Sequence, residues 1–289
     1  MKNVKLSGGT LVFLGAVFWS LNSPLIKFLQ VDALLTCGFR SVIAGLVLLP
    51  FLRPQKIKWN GWLVLYLIAY CGLCVSIVLA LRKTSAPIAI GMQYASIVWL
   101  FLASVITSHK LDKTRLVPVL MISAGVIVFM LTGLDGSSMN GNLIALSESI
   151  SFTFMTVGAK KCGSENPLGL TAISNLFTGF FVFTFLPPDL SDTLSFTGQE
   201  WMIMLILGVV QMGLGYACYN MGVSRISPQK ASVIALWELV LGPVWVALFL
   251  HEYPTLMVCF GFVMIVNGIL LDAKADTLQN LDFLQNKTP

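Results

Sequence analysis

The sequence predicts an all-α integral membrane protein, with ten transmembrane helices arranged as a five-plus-five inverted repeat. Three observations predict it. First, of 289 residues 56% are hydrophobic and only 11% charged, with a mean hydropathy of +0.84. A soluble domain carries about 25% charge, so this chain could not clothe a surface in water. Second, the apolar residues gather into runs of 19 to 24, the length a helix needs to cross roughly 30 Å of hydrocarbon. Third, the basic residues fall on alternate loops.

The runs in order are 6–26, 33–52, 61–81, 86–108, 116–134, 141–159, 167–186, 201–224, 231–250 and 253–271. None shows the period-2 alternation of a membrane β-barrel, whose strands would be about ten residues long. A helix satisfies its own backbone groups in lipid, so each run is read as one. The first follows Lys2 and Lys5 as a signal peptide would. It is longer than a typical apolar signal core and ends in no small-x-small cleavage site, so it is read as a retained helix. The third carries Cys71 and Cys74 as a lone CxxC in an apolar stretch, which reads as small packing residues and not as a metal or redox site. Pro87 and Pro228 open the fourth and ninth helices, where a first-turn proline is tolerated. Pro24 and Pro243 fall inside helices and are positions where a kink could expose backbone carbonyls.

The net charge of +5 is a topology signal. With the N-terminus inside, 14 of the 18 Lys and Arg lie on the inner face, from Arg53, Lys56 and Lys58 to Lys110, Lys113, Arg115, Lys160, Lys161, Arg225 and Lys230. Only Arg82 and Lys83 lie outside, while Lys27 and Arg40 sit within or beside helices. That asymmetry places both termini in the cytoplasm of a cell inner membrane. Nucleic acid need not be invoked as a partner. No Walker motif occurs and the loops are short, so an ATP-driven mechanism is not expected.

The halves echo one another. Lys83, Ser85, Ala89 and His109 recur 142 residues later as Arg225, Ser227, Ala231 and His251, and Gly8 and Lys27 recur 133 residues later as Gly141 and Lys160. Five crossings per half force the second copy to face the opposite way. The expected organisation is 1–134, 139–272 and a cytoplasmic tail 273–289. Inverted repeats are a recurrent plan of secondary transporters, with the binding site near the midplane between the copies.

The C-terminal half carries a family resemblance. A Tyr-rich helix (Tyr216, Tyr219) is followed by Arg225-Ile226-Ser227-Pro228, by Glu238 in the next helix, and by Glu252 fourteen residues on. In the first half Phe39-Arg40, Ala44 and Pro50 match a second-helix pattern. Together these resemble the EamA-type family of the drug/metabolite transporter superfamily, over residues 7–272. Leu239 stands where that family usually has Pro, and His251 and His109-Lys110 replace a usual Gly and Gly-Glu. The resemblance implies a basket in which helices 1, 3, 4, 6, 8 and 9 surround a central cavity and helices 5 and 10 are peripheral.

Three ionisable residues lie deep in the spans: Arg40, Glu148 and Glu238. A mid-membrane charge costs about 2.5–3.5 kcal/mol on insertion scales, so each needs a partner, a cavity or a neutral form. Glu238 is ten residues past Pro228, about 15 Å into its helix, and Glu148 seven past Gly141, about 10 Å in. The functional reading puts both in the cavity, holding a cationic substrate or a proton in turn. The structural reading makes Glu238 a packing residue and pairs Glu148 with Arg40, itself read as structural. The further candidates are Trp19 and Asn22, three apart on one face of helix 1; Gln93 and Tyr94 on helix 4; Gln211 and Tyr219, eight apart on helix 8 with Gly215 between them; and Trp237 beside Glu238. Any of the uncharged ones could instead only bond a neighbouring helix. Trp59, Trp62 and Trp201 read as interface anchors, and His109 and His251 as solvated or capping residues at helix ends.

These readings lead to a secondary transporter of a small metabolite, an amino acid, amine or related compound with cations favoured, that needs no cofactor and works within the lipid bilayer. A homodimer is one expectation for its assembly. A passive channel and an intramembrane enzyme are the alternatives. No His or Asp lies away from the helix ends, which speaks against the enzyme.

Overall fold

The computed structural model describes residues 6–109, 111–133, 138–162, 165–188, 196–223, 225–226 and 228–285. Among the described residues all regular structure is helical. Lys2, Lys5, Lys110 and Ser227, singled out in the sequence, lie outside them.

In chain order the helices are α1 (Gly8–Ser20), α2 (Asn22–Phe28), α3 (Ala33–Leu48), α4 (Gly61–Lys83), α5 (Ala86–Gln93), α6 (Ser96–Ser108), α7 (Leu116–Leu131), α8 (Met139–Cys162), α9 (Pro167–Phe185), α10 (Gly198–Leu205), α11 (Gly215–Val223), α12 (Pro228–Leu250) and α13 (Leu256–Gln285). A π-helical stretch, Ile206–Leu214, joins α10 to α11. The first span is thus α1 with α2, the fourth α5 with α6, and the eighth α10 through α11. Short polar side chains start them by accepting otherwise unpaired first-turn amides. Ser7 Oγ takes the amide of Thr10, Asp32 Oδ1 that of Leu35, Asn60 Oδ1 that of Leu63 and Asn166 Oδ1 that of Gly169. Thr197 and Glu200 cap each other's amides at α10.

Among the described residues nine helices are long and apolar enough to cross a membrane. The tenth expected span, α8, falls short on polarity and not on length, since 24 residues rise about 36 Å. Its polar residues Asn142, Glu148 and Ser149 are wholly buried and Thr153 nearly so, and the helix packs along α4. The last helix runs on past 271 to Gln285, through much of the stretch expected to be a tail.

The helix pairs obey the repeat. Exchanging the halves turns the α4–α8 pair into α11–α1 and the α5–α8 pair into α12–α1, and returns α3–α9 and α7–α13 to themselves. This is the contact pattern of an internal two-fold. The repeated residues meet across it: a Cβ added to Gly8 would lie 2.8 Å from Arg225 Cβ, and one added to Gly141 would lie 2.5 Å from the carbonyl oxygen of Lys83. Each half therefore presses its opening glycine against the same point of the other half. His109 and His251, also equivalent, both adopt the left-handed conformation, with φ of 52° and 55°. His109 sits at the end of α6, where its amide donates to the Val105 carbonyl; His251 directly follows Leu250, the end of α12. The family's glycine at these places is explained by that φ, which costs a residue with a Cβ.

Pro24 and Pro243 behave differently. Pro24 has no amide for the Ser20 carbonyl, and its ring crowds that carbonyl; the first span breaks at Leu21, between α1 and α2. Pro243 is carried inside α12 without interruption. The fourth span breaks at Tyr94–Ala95, where tight i→i+3 bonds run from Tyr94 to the Gly91 carbonyl and from Ala95 to that of Met92.

Candidate functional site

The two breaks and the π stretch all face one place. Between the halves lies a cavity of about 680 Å³. Helix ends inside a span free backbone groups and bend side chains off the helical phase, which is tolerated at membrane depth only beside protein or water. Trp19 and Asn22 flank the first break, and Gln93 and Tyr94 stand at the second; all four line the cavity. Gln211 enters it from the π stretch and Tyr219 from α11.

Four charged residues line the cavity: Asp272 at its rim, and Glu148, Glu238 and Arg40 further in. Glu148 is wholly buried on α8, and neither of its carboxylate oxygens has a hydrogen-bond partner. Glu238 lines the cavity from α12. Arg40, 2% exposed on α3, donates from Nη1 to Asn22 Oδ1 at 2.6 Å and from Nη2 to the Cys74 carbonyl at 3.2 Å. The expected alternative, an Arg40–Glu148 pair, does not form. The guanidinium is held by Asn22 and the α4 backbone, while Glu148 and Glu238 share the cavity lining with it. A buried carboxylate without a partner loses hydration that nothing in the protein replaces. Gln211 Oε1 and Trp19 Nε1 are likewise buried and unbonded.

One wall is aromatic. Trp19 packs on Tyr216 at 4.9 Å and on Tyr219 at 4.6 Å between ring centroids. Gly215 makes room, since a Cβ there would lie 2.7 Å from the indole. Tyr66 and Tyr94 also face the space. The electron-rich faces of such rings attract cations.

The cavity is lined by buried residues at one end, the shut end, and includes exposed ones at the other, the mouth. At the shut end Ser23 and Ile90 are buried. Beyond them Lys27 Nζ pairs with Glu252 at 2.9 Å, and Arg82 Nη2 donates to the Val31 carbonyl at 2.7 Å. At the other end the lining residues Thr156 and Pro167 are exposed, and Asp272 stands at the mouth with Arg115 at 3.8 Å.

Eight of the nine sequence candidates therefore share this cavity. Trp237 does not. It is 48% exposed on the outer face of α12 against Phe13, with centroids 5.8 Å apart, because the residue next to Glu238 points about 100° further round the helix. The sequence reading missed Tyr66, Tyr216, Asn220 and Asp272 and favoured a structural role for Arg40, which also lines the cavity. The Tyr216/Tyr219 spacing of three was a usable signal for Tyr216. Helix 10, expected to be peripheral, contributes Ile269, Asp272 and Ala273 to the mouth. Cys74 lines the cavity and Cys71 is buried beside it as a free thiol. Trp99 stays behind the wall, donating to Ser149 Oγ at 2.8 Å and tying α6 to α8 next to Glu148.

The pattern of the EamA-like transporter family matches residues 6–131 and again residues 139–272. The chain belongs to that family. The two matched segments fall on the two five-helix halves, so one EamA unit corresponds to one half of the pseudo-two-fold. An uncharacterized transporter, YvbV of Bacillus subtilis (strain 168), is 24% identical over 282 residues, covering 88% of each chain. A protein of known crystal structure has the same fold with a TM-score of 0.61 at 18% identity, over 91% of this chain and 96% of its own. As an EamA-family member the chain is a multi-pass membrane transporter for a small molecule and not an enzyme. The cavity between the EamA halves is where such a molecule has room to bind.

Proposed function

We propose that this chain is a secondary active transporter that carries an amine-bearing small metabolite, an amino acid, amine or related compound, across the cell inner membrane by alternating access. One observation supports the reading above the others: Glu148 is buried in a cavity wall with both oxygens unpartnered, and Glu238 lines the same cavity. An ammonium group supplies the charge and the donors that this carboxylate lacks, and the surrounding rings favour a cation. When substrate leaves, a proton can take its place on either carboxylate, so exchange of substrate for proton follows from the same two side chains.

The open mouth lies on the side of Arg115, which the charge asymmetry assigns to the cytoplasm along with both termini. The shut end argues for a carrier over a passive channel, because a pore needs both ends open together. Counterflow separates the two: a carrier exchanges labelled for unlabelled substrate, and a pore does not.

The direct test is thermal shift of the purified protein against cationic amines, amino acids, nucleosides and neutral sugars, run with wild type, Glu238→Gln and Glu148→Gln. An amine-bearing hit that disappears in either variant is expected. Hits confined to neutral sugars or nucleosides, or amine hits unchanged in both variants, would overturn the reading.

A further inference from the structure

Away from its mouth the cavity holds two carboxylates and one guanidinium, and the geometry shows how the guanidinium is kept from pairing with either carboxylate. Arg40 reaches Asn22 with one terminal nitrogen and the Cys74 carbonyl with the other, while its Nε is buried and unbonded. Asn22 stands just past the break in the first span, so the acceptor that holds Arg40 is set by that break. One bond from each terminal nitrogen fixes the plane and position of the guanidinium and leaves its charge in place. It remains a fixed positive charge on the lining that also carries Glu148. Asp272, the other acidic residue on the lining, has Arg115 as its partner at the mouth and stands apart from this set.

We infer that Arg40, tethered by Asn22 and the Cys74 carbonyl, sets the charge selectivity of the cavity. With Glu148 and Glu238 ionised the three side chains sum to one net negative charge, which matches a substrate carrying one positive charge and disfavours one carrying two. Arg40 is a specificity-determining residue in this account and not a substrate anchor. The inference rests on the amine reading given above and adds the number of charges to it. In a low-dielectric site one uncompensated unit charge has a large effect on affinity, so changing the count by one shifts preference more than changing any contact.

A matched set of aromatic probes tests it, since the cavity wall is aromatic: 4-methylbenzylamine with one ammonium, 1,4-bis(aminomethyl)benzene with two, and 4-(aminomethyl)benzoate as the zwitterion. Equilibrium binding of each is measured on the full-length protein in nanodiscs. Wild type is expected to prefer the monoamine over the diamine by about tenfold or more. Arg40→Gln should invert that ratio, Arg40→Lys should retain the wild-type order, and the double variant Arg40→Gln/Glu148→Gln, which restores one net negative charge, should recover the monoamine-to-diamine order at an overall affinity lowered by the loss of Glu148. The double variant also removes the unbalanced buried charge, so it keeps the test open where Arg40→Gln alone does not fold.

An unchanged ratio in Arg40→Gln, or no recovery in the double variant, overturns the inference. Selective loss of zwitterion binding in Arg40→Gln overturns it too, because it makes Arg40 a carboxylate anchor. These results leave the amine reading standing when Glu238→Gln still abolishes monoamine binding. Wild type that binds none of the three probes defeats both.

Discussion

Glu148 shows how a single side chain can hold stability and function in opposition. It is buried without a hydrogen bond on either oxygen, and a buried charge lacking a partner costs a protein several kcal/mol unless it is neutralised. Strain of this kind concentrates at functional sites and is relieved by their ligands. Glu148→Gln removes the charge and keeps the shape. We expect it to raise the melting temperature of the substrate-free protein in detergent by a few degrees while weakening amine binding at least tenfold. A lower melting temperature would mean that Glu148 serves packing. His109 and His251 make the same point at the helix ends without a binding role. Each bears a side chain at positive φ, at roughly 1 kcal/mol over glycine. His109→Gly and His251→Gly are each expected to stabilise the protein by about that amount, read as a higher midpoint of thermal unfolding with amine binding unchanged. A fall in midpoint at either site would show that the imidazole makes a contact worth more than the strain.

The helices were legible as elements because the bilayer demands so much of them. An apolar run of about twenty residues has few other uses, so even α8, too polar to qualify alone, stood out between its neighbours. Facing was most legible where two candidates fixed a stripe: Trp19 with Asn22, and Gln211 with Tyr219, all reach the cavity. Trp237 had only its adjacency to Glu238, and adjacent residues on a helix diverge, so it landed outside. The tethering of Arg40 was not legible because its partners, Asn22 and Cys74, lie on two other helices, which spacing along α3 does not reveal. The repeat, faint in sequence, is sharp in contacts. Gly8 and Gly141 each meet backbone or Cβ atoms of the opposite half within 3 Å of an added methyl group. Gly141→Ala should therefore destabilise by about 1–3 kcal/mol, the cost of overpacking against backbone, and Gly8→Ala by a similar amount. Gly61→Ala, where an added Cβ meets nothing within 4 Å, is the control and should be neutral or better, because alanine favours helix. Equal losses at Gly61 and Gly141 would remove the packing explanation.

At the scale of the molecule, the proposed alternating access requires that the shut end open as the mouth closes, and an ion pair and a hydrogen bond lie at that end. The Lys27–Glu252 pair joins the end of the first span to the loop before the last, with Glu252 48% exposed. Lys27 is only 12% exposed, but its partner is open to solvent, which keeps the pair weak enough to bias the equilibrium without locking it. That is the strength a carrier needs at a closure it must break on every cycle, since a gap of about 1 kcal/mol leaves the other state populated at over a tenth. Arg82 adds a second tie to the Val31 carbonyl at the same end. A disulfide in place of the ion pair separates closure from binding. In Lys27→Cys/Glu252→Cys, oxidation should stop counterflow in proteoliposomes nearly completely, and reduction should restore it. Amine binding from the open mouth should persist in the oxidised protein, because the cavity lies beyond the cross-link from that side. Cys74, on the cavity wall, gives an independent readout: in the cross-linked protein it should react with a small membrane-impermeant thiol reagent added on the mouth side and resist the same reagent from the other. Counterflow that survives oxidation would show that this end does not move during the cycle. Reaction of Cys74 from both sides would show that the ion pair does not mark the closed end.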